Sequence, residues 1–374
     1  MNKKVLVTGG AGFIGSHTVD ELLKRGYEVR ILDALLPPVH DGTIPSWVPK
    51  EAEFIKGDVT NRDDMSKALK GINIVYHFAA YQDYLTDFST FFHTNAVGTA
   101  LLYELIVTKF KQVELVVVAS SQAVYGEGRY KCDIHGNTIP NPRTLTQLTN
   151  KEWEHRCTKC ENILVPQWTD ESIMHPHNAY AFSKRDQDEF SRVMGDRYEI
   201  PTVVFRYSIV QGPRQSFKNS YSGALRAFAV CTLNGASPVI FEDGMQLRDY
   251  ISVHDVVVAN TMPLDYPQMI GQVYNVGGNH KLTVRELADV VNKVVPSPKT
   301  PILSDLFRVG DTRHVFSDIF SLAEFGWRPV VTQHSIVKEY IEWASAQPDI
   351  RNTYAEAEQR MKALGVLRQT TGRH

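Results

Sequence analysis

The chain has few cysteines, no long apolar run and almost no excess of charge. Four cysteines among 374 residues do not suggest a disulfide scaffold. The sequence contains no run of 18 apolar residues and starts directly into a strand pattern, so we predict neither a membrane span nor a signal peptide. The 40 basic and 42 acidic side chains leave a net charge of −2, which gives no reason to expect nucleic acid or a membrane surface as a partner. We therefore expect a soluble cytoplasmic protein.

The length and the element pattern predict an α/β protein. A chain of 374 residues, 43% of them hydrophobic, allows two or three domains and a large core. Strand and helix patterns alternate through the first half, which indicates a Rossmann-type, doubly wound parallel sheet with right-handed crossovers. We expect the following division: residues 1–206 as this domain, with an insertion at 127–170 and a return of 247–262; residues 207–345 as a smaller α/β substrate-binding domain; and residues 346–374 as a helical tail.

A glycine-rich turn follows the first predicted strand. The apolar residues 5–7 lead into T-G-G-A-G-F-I-G. Gly9 is placed for the tight turn, Gly12 allows the backbone to approach a pyrophosphate, and Gly15 allows the next helix to pack closely on its strand. The N-terminus of that helix offers free N–H groups and a positive dipole end to phosphates. The turn predicts a dinucleotide site, and the alternative is an ordinary strand–turn–helix.

Polar and small residues follow the next predicted strands. Asp33 lies roughly 20 residues beyond the glycine turn, where a carboxylate accepts hydrogen bonds from the ribose hydroxyls. A 2′-phosphate would be repelled there, and residues 34–36 are Ala-Leu-Leu, so NAD is favoured over NADP. Asp58 is in position to accept from an adenine amine, while Ala79 and Ala80 are small enough to lie against a flat ring. Simple loop packing is the alternative for these last three.

A tyrosine, a lysine and a serine carry the predicted chemistry. Tyr180 and Lys184 are four residues apart in Y-A-F-S-K, so a helix projects them from the same face. Ionising a tyrosine of pKa about 10 costs roughly 4 kcal/mol at pH 7, and one cation at about 4 Å offsets about that much. Tyr180 is therefore a candidate general base, and Ser121, at the end of a predicted strand, is placed to hydrogen-bond a substrate hydroxyl. The alternative is a buried tyrosine and a solvated lysine on an amphipathic helix.

Several motifs in the same order resemble those of one family, the extended short-chain dehydrogenases/reductases, and within it the NAD-dependent nucleotide-sugar epimerases and dehydratases. The motifs are T-G-G-A-G-F-I-G at 8–15, H-F-A-A at 77–80, N-x-x-G-T at 95–99, S-S-Q-A-V-Y-G at 120–126, Y-A-F-S-K at 180–184, F-R-Y-S-I-V-Q-G-P-R at 205–214, D-G-M-Q-L-R-D-Y at 243–250, Y-N-V-G-G at 274–278 and R-V-G-D at 308–311. The resemblance covers residues 1 to about 345 apart from the insertion, and it is strongest to a subgroup similar to dTDP-L-rhamnose 4-epimerases.

The resemblance implies a set of site residues. Ser121, Tyr180 and Lys184 would be catalytic. The residues that would line the cofactor are Gly9, Gly12, Phe13, Ile14, Gly15, Asp33, Asp58, Val59, Ala79, Ala80, Asn95, Tyr180, Lys184 and Tyr207. The residues that would contact a nucleotide-diphosphate sugar are Ser121, Gln122, Arg248, Arg308 and Asp311. Of these, Arg248 and Arg308 would bind the diphosphate and Asp311 the ribose. It also implies a homodimer, because relatives pair the helices that carry Asn95 and Tyr180 into a four-helix bundle.

Departures from the family pattern narrow the reaction. Family 4,6-dehydratases place an Asp-Glu pair directly after the catalytic Ser or Thr, whereas this chain has Gln122 and Ala123. Ile209 stands where many relatives carry an Asn that contacts the diphosphate. We predict an NAD-retaining nucleotide-sugar epimerase that acts at C4. The alternatives are a GDP-sugar pyranose–furanose mutase, a decarboxylase or a dehydrogenase, and, from another class, a catalytically silent NAD-sensing binding module.

The insertion carries two short pairs of metal-ligand residues. Cys132-x-x-His135 is followed, 21 residues later, by Cys157-x-x-Cys160. This spacing resembles a zinc ribbon, and a Cys₃His shell would be a structural site without an open position for water. Zinc would help to fold a segment that has few apolar residues. The alternatives are a polar surface loop with reduced cysteines and a redox C-x-x-C.

Overall fold

The structure is a computed structural model that describes residues 3–83, 85–219, 223–348, 350 and 354–370. The strands, in chain order, are β1 Lys4–Thr8, β2 Glu28–Asp33, β3 Glu53–Lys56, β4 Ile74–His77, β5 Leu115–Ser121, β6 Tyr130–Cys132, β7 Gly136–Thr138, β8 Val165–Pro166, β9 Thr202–Tyr207, β10 Ile209–Gln211, β11 Val239–Ile240, β12 Leu247–Arg248, β13 Tyr250–Ser252, β14 Val273–Val276, β15 Leu282–Thr283, β16 Ile302–Leu303, β17 Leu306–Arg308 and β18 Leu367–Gln369.

The helices connect these strands. In chain order they are α1 Phe13–Lys24, α2 Arg62–Leu69, α3 Phe88–Phe91, α4 Gly98–Thr108, α5 Leu145–Thr149, α6 Ala179–Arg197, α7 Gly223–Leu233, α8 Val253–Thr261, α9 Val284–Val294, α10 Phe320–Ala323, α11 Gln333–Ser345 and α12 Tyr354–Ala363. A π-helical segment, Phe92–Val97, joins α3 to α4, and short 3₁₀ turns lie at Gln122–Tyr125, Met262–Leu264 and Pro267–Met269. None of the helices within the described ranges has the length and apolar content that crossing a bilayer requires.

A parallel sheet forms the centre of the first half and confirms the predicted fold class. Within the described residues it has seven strands in the order β3-β2-β1-β4-β5-β9-β14. The chain order reverses between β1 and β4, which creates the crevice where ligands bind in sheets of this kind. The strands are apolar on both faces: Val5 and Val7 belong to one core cluster and Leu6 to another on the opposite face.

The chain returns to this sheet over a longer stretch than the predicted 247–262. Helix α8 packs against α1. In addition, β14 pairs in parallel with β9 and so extends the sheet, although residues 273–276 lie inside the range predicted for the second domain. The four-residue strand carries no sequence signal for its partner, and its apolar residues face the large core cluster. Membership of the sheet is therefore decided by tertiary packing.

The remaining elements form a smaller helical layer and the insertion. Helices α7, α9 and α11 share a core cluster with Ile240 and Tyr250. Thr283 caps α9 in a capping box with Glu286. The insertion contains the three-stranded antiparallel sheet β7-β6-β8 and the short helix α5. The final residues 371–374 of the predicted tail lie outside the described residues, while β18 in that tail pairs with β17.

A buried ion pair fixes α6, the helix that carries Tyr180, against the sheet. Asp188 on α6 accepts hydrogen bonds from Arg206 Nε at 2.8 Å and Nη2 at 3.3 Å. Both side chains are at most 1% exposed. Arg206 belongs to β9 and also donates to the Glu171 carbonyl, so it ties the helix, the sheet and the chain after the insertion together.

We expect Asp188→Asn to lower the free energy of unfolding by about 3 kcal/mol, because the Arg206 guanidinium stays buried without its counter-charge. Urea denaturation measures the change. The matched control is Asp186→Asn on the same helix, whose carboxylate pairs with Arg185 at 3.0 Å in a partly exposed setting. That control should change the unfolding free energy by less than about 0.5 kcal/mol. Equal losses in the two variants would contradict the anchoring role of Asp188.

Candidate active site

A cavity of about 540 Å³ opens beyond the carboxyl ends of the central strands. Its lining includes residues that end or follow β1, β2, β4 and β5, and others from 207–223 and 310–315. The size falls in the range of small-molecule and cofactor sites. The parallel strands thus bring together residues that are far apart in the sequence, with the cofactor motifs on one side and the second half of the chain on the other.

The glycine turn after β1 is shaped for close approach. Gly9 has φ +68°, and a Cβ there would lie 2.8 Å from the Ala79 amide nitrogen. A Cβ on Gly15 would overlap the Gly9 carbonyl oxygen, so the close packing of α1 on the turn requires glycine at this position. Gly12 precedes α1 and lines the cavity, and among the described residues no side chain caps this helix start. The first N–H groups of α1 therefore remain open to a phosphate.

Asp33 is held at the end of β2 in a fixed orientation. Its carboxylate accepts from the Ala11 amide at 3.0 Å and from the Leu35 amide at 2.9 Å. Each oxygen keeps a second lone pair for a ribose hydroxyl. His40 also lines the cavity, but burial lowers its pKa, opposed by the attraction of Asp33, so its ring is largely neutral at pH 7. Within the described lining of the cavity, the lysine and arginine side chains are those of Lys184 and Arg248, and neither of them follows β2.

Most of the predicted cofactor residues line the cavity. They are Gly9, Gly12, Phe13, Ile14, Gly15, Asp33, Asp58, Val59, Ala79, Ala80, Tyr180, Lys184 and Tyr207. Asn95 is the exception among them. It is fully buried, and its amide nitrogen donates to the Tyr81 carbonyl at 3.0 Å and to Ser183 Oγ at 2.9 Å. Asn95 therefore braces the loop after β4 against α6 and does not face the cavity.

Tyr207 contributes its ring to the cavity and directs its hydroxyl elsewhere. The hydroxyl donates to Asn260 Oδ1 at 2.7 Å, in a buried position beneath α8. Burial raises the pKa of Tyr207 far above its usual range, so the phenol stays neutral. An apolar contact with a bound ligand is the role this geometry permits.

Ser121, Tyr180 and Lys184 meet at the same end of the cavity. The Tyr180 side chain is hydrogen-bonded to that of Ser121. Burial raises the pKa of Tyr180 to about 12, and the hydrogen bond from Ser121 opposes the rise. Burial also lowers the pKa of Lys184 to about 7, against the attraction of Asp188. The phenol and the ammonium are thus both held in a dry environment where each depends on its neighbours for its charge.

A buried hydrogen-bond chain supports Lys184. Its Nζ donates to the Ala119 carbonyl at 2.7 Å and to Gln187 Oε1 at 2.8 Å. The Gln187 amide in turn donates to Thr99 Oγ1 at 2.9 Å, and the His77 Nε2 lies 3.0 Å from the same hydroxyl. Burial, with the charge of Lys184, lowers the pKa of His77 to about 3, so the ring is neutral. Gln187 was not predicted from sequence, although its spacing of three residues from Lys184 places it on the same helix face.

The predicted substrate residues differ in how they reach the cavity. Ser121, Gln122, Arg248 and Asp311 line it. The Arg248 guanidinium, however, donates to the Thr312 carbonyl at 2.7 Å and to the Arg313 carbonyl at 2.9 Å. Much of its donor capacity therefore holds the backbone of the cavity wall. These carbonyl partners could not be predicted from the local sequence pattern, because they lie more than 60 residues from Arg248 in the sequence.

Arg308 lies behind the wall. It is absent from the described lining of the cavity, and its guanidinium stacks over the Phe241 ring with a centroid distance of 5.2 Å. Its Nε is 4.0 Å from Asp311 Oδ2, which does line the cavity. Arg308 thus lies near a lining carboxylate, although it is not itself part of the described lining.

His177 is a lining residue that the sequence reasoning missed. Its Nε2 lies 2.9 Å from Nδ1 of His175, and burial lowers its pKa, so the imidazole is neutral at pH 7. Asn178 next to it caps α6 by accepting from the Ala181 amide at 2.9 Å. This cap turns the chain so that the residue before it faces the cavity. The sequence feature that could have predicted His177 is its position three residues before Tyr180.

The four metal-ligand residues of the insertion come together. The ligand atoms of Cys132, His135, Cys157 and Cys160 all lie within 4.8 Å of one another. Cys132 Sγ is 3.6 Å from Cys160 Sγ, and the His135 Nδ1 is 3.4 Å from Cys157 Sγ. A tetrahedral zinc with bonds of about 2.3 Å to sulfur and about 2.0 Å to nitrogen requires separations of about 3.5–3.8 Å. The donor set and its spacing therefore fit a zinc ion.

Comparison with known proteins identifies the family. The model of the NAD dependent epimerase/dehydratase family matches residues 5–149 and 158–277. These ranges include the glycine turn, the Ser121 strand and the Tyr180 helix. The family match is interrupted only within the insertion, between residues 149 and 158.

Relatives and solved structures extend the comparison over nearly the whole chain. The dTDP-L-rhamnose 4-epimerase of Burkholderia thailandensis is 29% identical over 357 residues, which cover 94% of this chain and 97% of that protein. A putative UDP-glucose 4-epimerase of Methanocaldococcus jannaschii is 29% identical, with 91% and 97% covered. The structure of UDP-glucose 4-epimerase from Thermotoga maritima with UDP-glucose gives a TM-score of 0.75 at 26% identity, covering 91% of this chain and 98% of that one. That of the Thermus thermophilus UDP-glucose 4-epimerase complex with NAD gives 0.72 at 28%, with the same coverage. Since the family match spans well over half of the sequence, this chain belongs to the NAD-dependent epimerase/dehydratase family, with NAD as its cofactor.

Proposed function

We propose that the chain is an NAD-retaining nucleotide-sugar epimerase that inverts C4 of an NDP-hexose or 6-deoxyhexose through a transient 4-keto sugar. The observation that carries the proposal is the hydrogen-bonded pair Ser121–Tyr180, with Lys184, at one end of the NAD cavity. Relatives named dTDP-L-rhamnose 4-epimerase and UDP-glucose 4-epimerase support the choice of carbon.

Tyr180 is the proposed proton acceptor. Ionising a phenol of pKa about 12 at pH 7 costs roughly 7 kcal/mol. A single cation at about 4 Å, at an effective dielectric of about 20, offsets about 4 kcal/mol, so two positive groups are needed. Lys184 is one, and the oxidised nicotinamide ring of bound NAD supplies the second together with hydride acceptance. Ser121 holds the sugar hydroxyl in line as it becomes a carbonyl.

The cavity favours epimerisation over elimination. Asp33, Asp58 and Asp311 are the carboxylates of the described lining, and none of them neighbours Ser121 in the sequence. Gln122 and Ala123 line the cavity where a 4,6-dehydratase requires its acidic pair. Without an acidic pair next to Ser121 in the described lining, the site favours re-reduction of the 4-keto sugar over elimination of water.

The nucleotide side of the substrate is proposed to lie along Arg248 and the 310–315 wall. Asp311 is placed for the ribose of the nucleotide, and Arg248 contributes its positive charge to the diphosphate. His177 lines the same cavity as Gln122 and Tyr180, and a neutral imidazole there can hydrogen-bond a sugar hydroxyl. None of these three side chains, Arg248, Asp311 and His177, selects among uracil, thymine and guanine.

Incubation with a panel of UDP-, dTDP- and GDP-sugars tests the proposal. We expect one or more of them to be inverted at C4, followed by NMR, without release of NADH. The rate of keto-sugar formation should pass through a maximum with pH, because Tyr180, whose pKa is raised to about 12, must lose its proton, while Lys184, whose pKa is lowered to about 7, must keep its own. Tyr180→Phe should lower turnover by at least about 100-fold while NAD stays bound.

The matched control is Tyr198→Phe, which removes an exposed phenol at the end of the same helix and should leave turnover unchanged. An oxidised product with released NADH would replace the epimerase by a dehydrogenase, and loss of carbon dioxide would indicate a decarboxylase. Ring contraction of a GDP-sugar would indicate a mutase. NAD binding without any turnover would favour a binding module.

We also propose that Cys132, His135, Cys157 and Cys160 hold a structural zinc. The four cysteines of the chain are free thiols, and the small apolar cluster of the insertion contains Tyr130 and Leu164 beside the ligands themselves. So small a core gives little stability of its own, and a tetrahedral metal would supply the missing part.

Elemental analysis should find about one zinc per chain. We expect Cys157→Ser to lose most of this metal and to lower the melting temperature, because an insertion without its cross-link opens first. Cys231→Ser is the control, since this cysteine lies on α7, far from the insertion in sequence, and should retain the metal. Metal-free protein with an unchanged melting temperature would contradict the zinc site.

A cytoplasmic homodimer is the proposed assembly. The π-helical segment with α4 and the helix α6 pack side by side, and apolar side chains project outward from them. Val97 is 48% exposed, Phe182 39% and Val193 57%. A second copy placed on this face would bury all three in a four-helix bundle. The cytoplasm provides both nucleotide sugars and a reducing environment for the zinc-ligand thiols.

Light scattering should give twice the mass of one chain. Val193→Lys places a charge in the proposed interface and should shift the protein toward monomer. Val330→Lys is the control, because Val330 is 80% exposed and lies on neither helix. A monomeric parent chain, or equal behaviour of the two variants, would contradict this interface.

A further inference from the structure

The insertion reaches the wall of the substrate cavity through one buried side chain, Arg143. This side chain is 1% exposed. It donates to both carboxylate oxygens of Glu242, at 2.7 and 3.0 Å. The same guanidinium donates to the backbone carbonyl of Asp311 at 3.0 Å and lies 3.3 Å from the Trp153 carbonyl. Arg143 thus connects the insertion, the chain after β11 and a cavity-lining residue at a single point.

The backbone of residues 311–313 is held from two sides. From the insertion side, Glu127 accepts from the Arg313 amide at 2.8 Å. From the other side, Arg248 donates to the Thr312 carbonyl at 2.7 Å. Three consecutive peptide groups of the wall are therefore oriented by side chains rather than by a strand or a helix. The shape of this wall therefore depends on the hydrogen bonds from these side chains to the backbone.

A second buried arginine completes the connection. Arg313 donates to Glu154 of the insertion at 2.6 Å and to Asp243 at 2.7 and 2.8 Å. Its Nη1 is also 3.3 Å from Glu242, the partner of Arg143. Carboxylates from the insertion and from the second half of the chain thus share the two guanidinium groups. Buried ion pairs of this kind add little net stability, but their fixed forks orient what they touch.

We propose that Arg143 is a positioning residue for the nucleotide-sugar site: by holding the Asp311 carbonyl, it makes the shape of the substrate wall depend on the folded insertion. The inference rests on the proposed function, because the 310–315 wall is the proposed nucleotide side of the cavity. The NAD side of the cavity is built from β1, β2 and β4 and makes no use of this connection. Arg143 therefore affects the affinity for the nucleotide and leaves the affinity for NAD unchanged.

Equilibrium binding of UDP, dTDP and GDP to the NAD-loaded protein measures this effect without relying on turnover. Arg143→Lys keeps the positive charge beside Glu242 but cannot hold both Glu242 oxygens and the Asp311 carbonyl in one planar fork. We expect the Kd of the bound nucleotide to rise about tenfold, since displaced binding groups lose contact steeply with distance. NAD affinity should stay within about twofold, and with an active sugar the KM should rise more than kcat falls.

Glu242→Gln separates positioning from simple loss of stability. It removes the charge partner of Arg143 but leaves the Arg143–Asp311 bond possible, so it should lower the melting temperature while raising the nucleotide Kd by less than about threefold. Lys151→Ala removes an exposed ion pair between the insertion and Asp305, 2.6 Å long, and should change neither quantity. Arg143→Gln replaces Arg143→Lys in the same comparison if the lysine variant does not fold.

Equal nucleotide Kd values in the parent chain and the Arg143 variant would overturn the inference, as would equal weakening by Arg143→Lys and Glu242→Gln or a parallel loss of NAD affinity. Nucleotide binding by a parent chain that epimerises no sugar would refute the proposed function and leave the inference standing. A parent chain that binds none of the three nucleotides would refute the proposed substrate class and the inference together.

Discussion

A buried lysine and a buried tyrosine one turn apart on the same helix are the constraint on which the proposed chemistry depends. Burial moves both groups toward their neutral forms, with the pKa of Tyr180 at about 12 and that of Lys184 at about 7. The Ala119 carbonyl and Gln187 offer two acceptors to the ammonium, which partly restores its hydration. The phenolate then becomes accessible chiefly when an oxidised, positively charged cofactor is bound. This coupling explains why a closed cycle suits the site: the Tyr180 phenolate would offset the charge of the oxidised cofactor and would be neutral again once the cofactor is reduced, so the net charge beside Lys184 would stay the same.

The sequence predicted those parts of the site that local backbone geometry determines. The glycine turn, Asp33, Ser121 and the Tyr180–Lys184 pair each follow from spacing within one strand–turn–helix unit or one helix, and the parallel sheet brings strand ends to one edge by construction. The strand β14 and the inward-facing Asn95 were beyond such reasoning. Strand β14 joins the sheet by pairing with β9, which lies at least 66 residues upstream. The Asn95 amide donates hydrogen bonds to the Tyr81 carbonyl and to Ser183 Oγ. The positions of β14 and Asn95 depend on tertiary contacts, which the periodicity of the local sequence does not predict.

In the insertion, too, one feature could be predicted from the local sequence and another could not. The two Cys/His pairs predict a metal site because ligand spacing within each pair is local, and their ligand atoms do converge. The link from the insertion to the cavity is carried instead by arginines and glutamates that, in the sequence alone, resemble ordinary surface charges. Arg143, Glu242 and Arg313 differ from surface residues only in their burial, which is at most 2% side-chain exposure for each. These three residues lie outside any strand or helix pattern, so the sequence does not indicate that their charges are buried.

This contrast has a consequence for where substrate specificity resides. The NAD half of the cavity is formed by glycine turns and strand ends, so any chain with those elements binds the same cofactor. The proposed substrate half is an irregular wall whose peptide groups are held by Glu127 and Arg143 of the insertion and by Arg248, which lies more than 100 residues further along the sequence. A change in any of these segments reshapes the wall without altering the Ser121–Tyr180 chemistry. The motifs therefore indicate the type of reaction, whereas the wall that we propose for the nucleotide is held by tertiary contacts that the motifs do not contain.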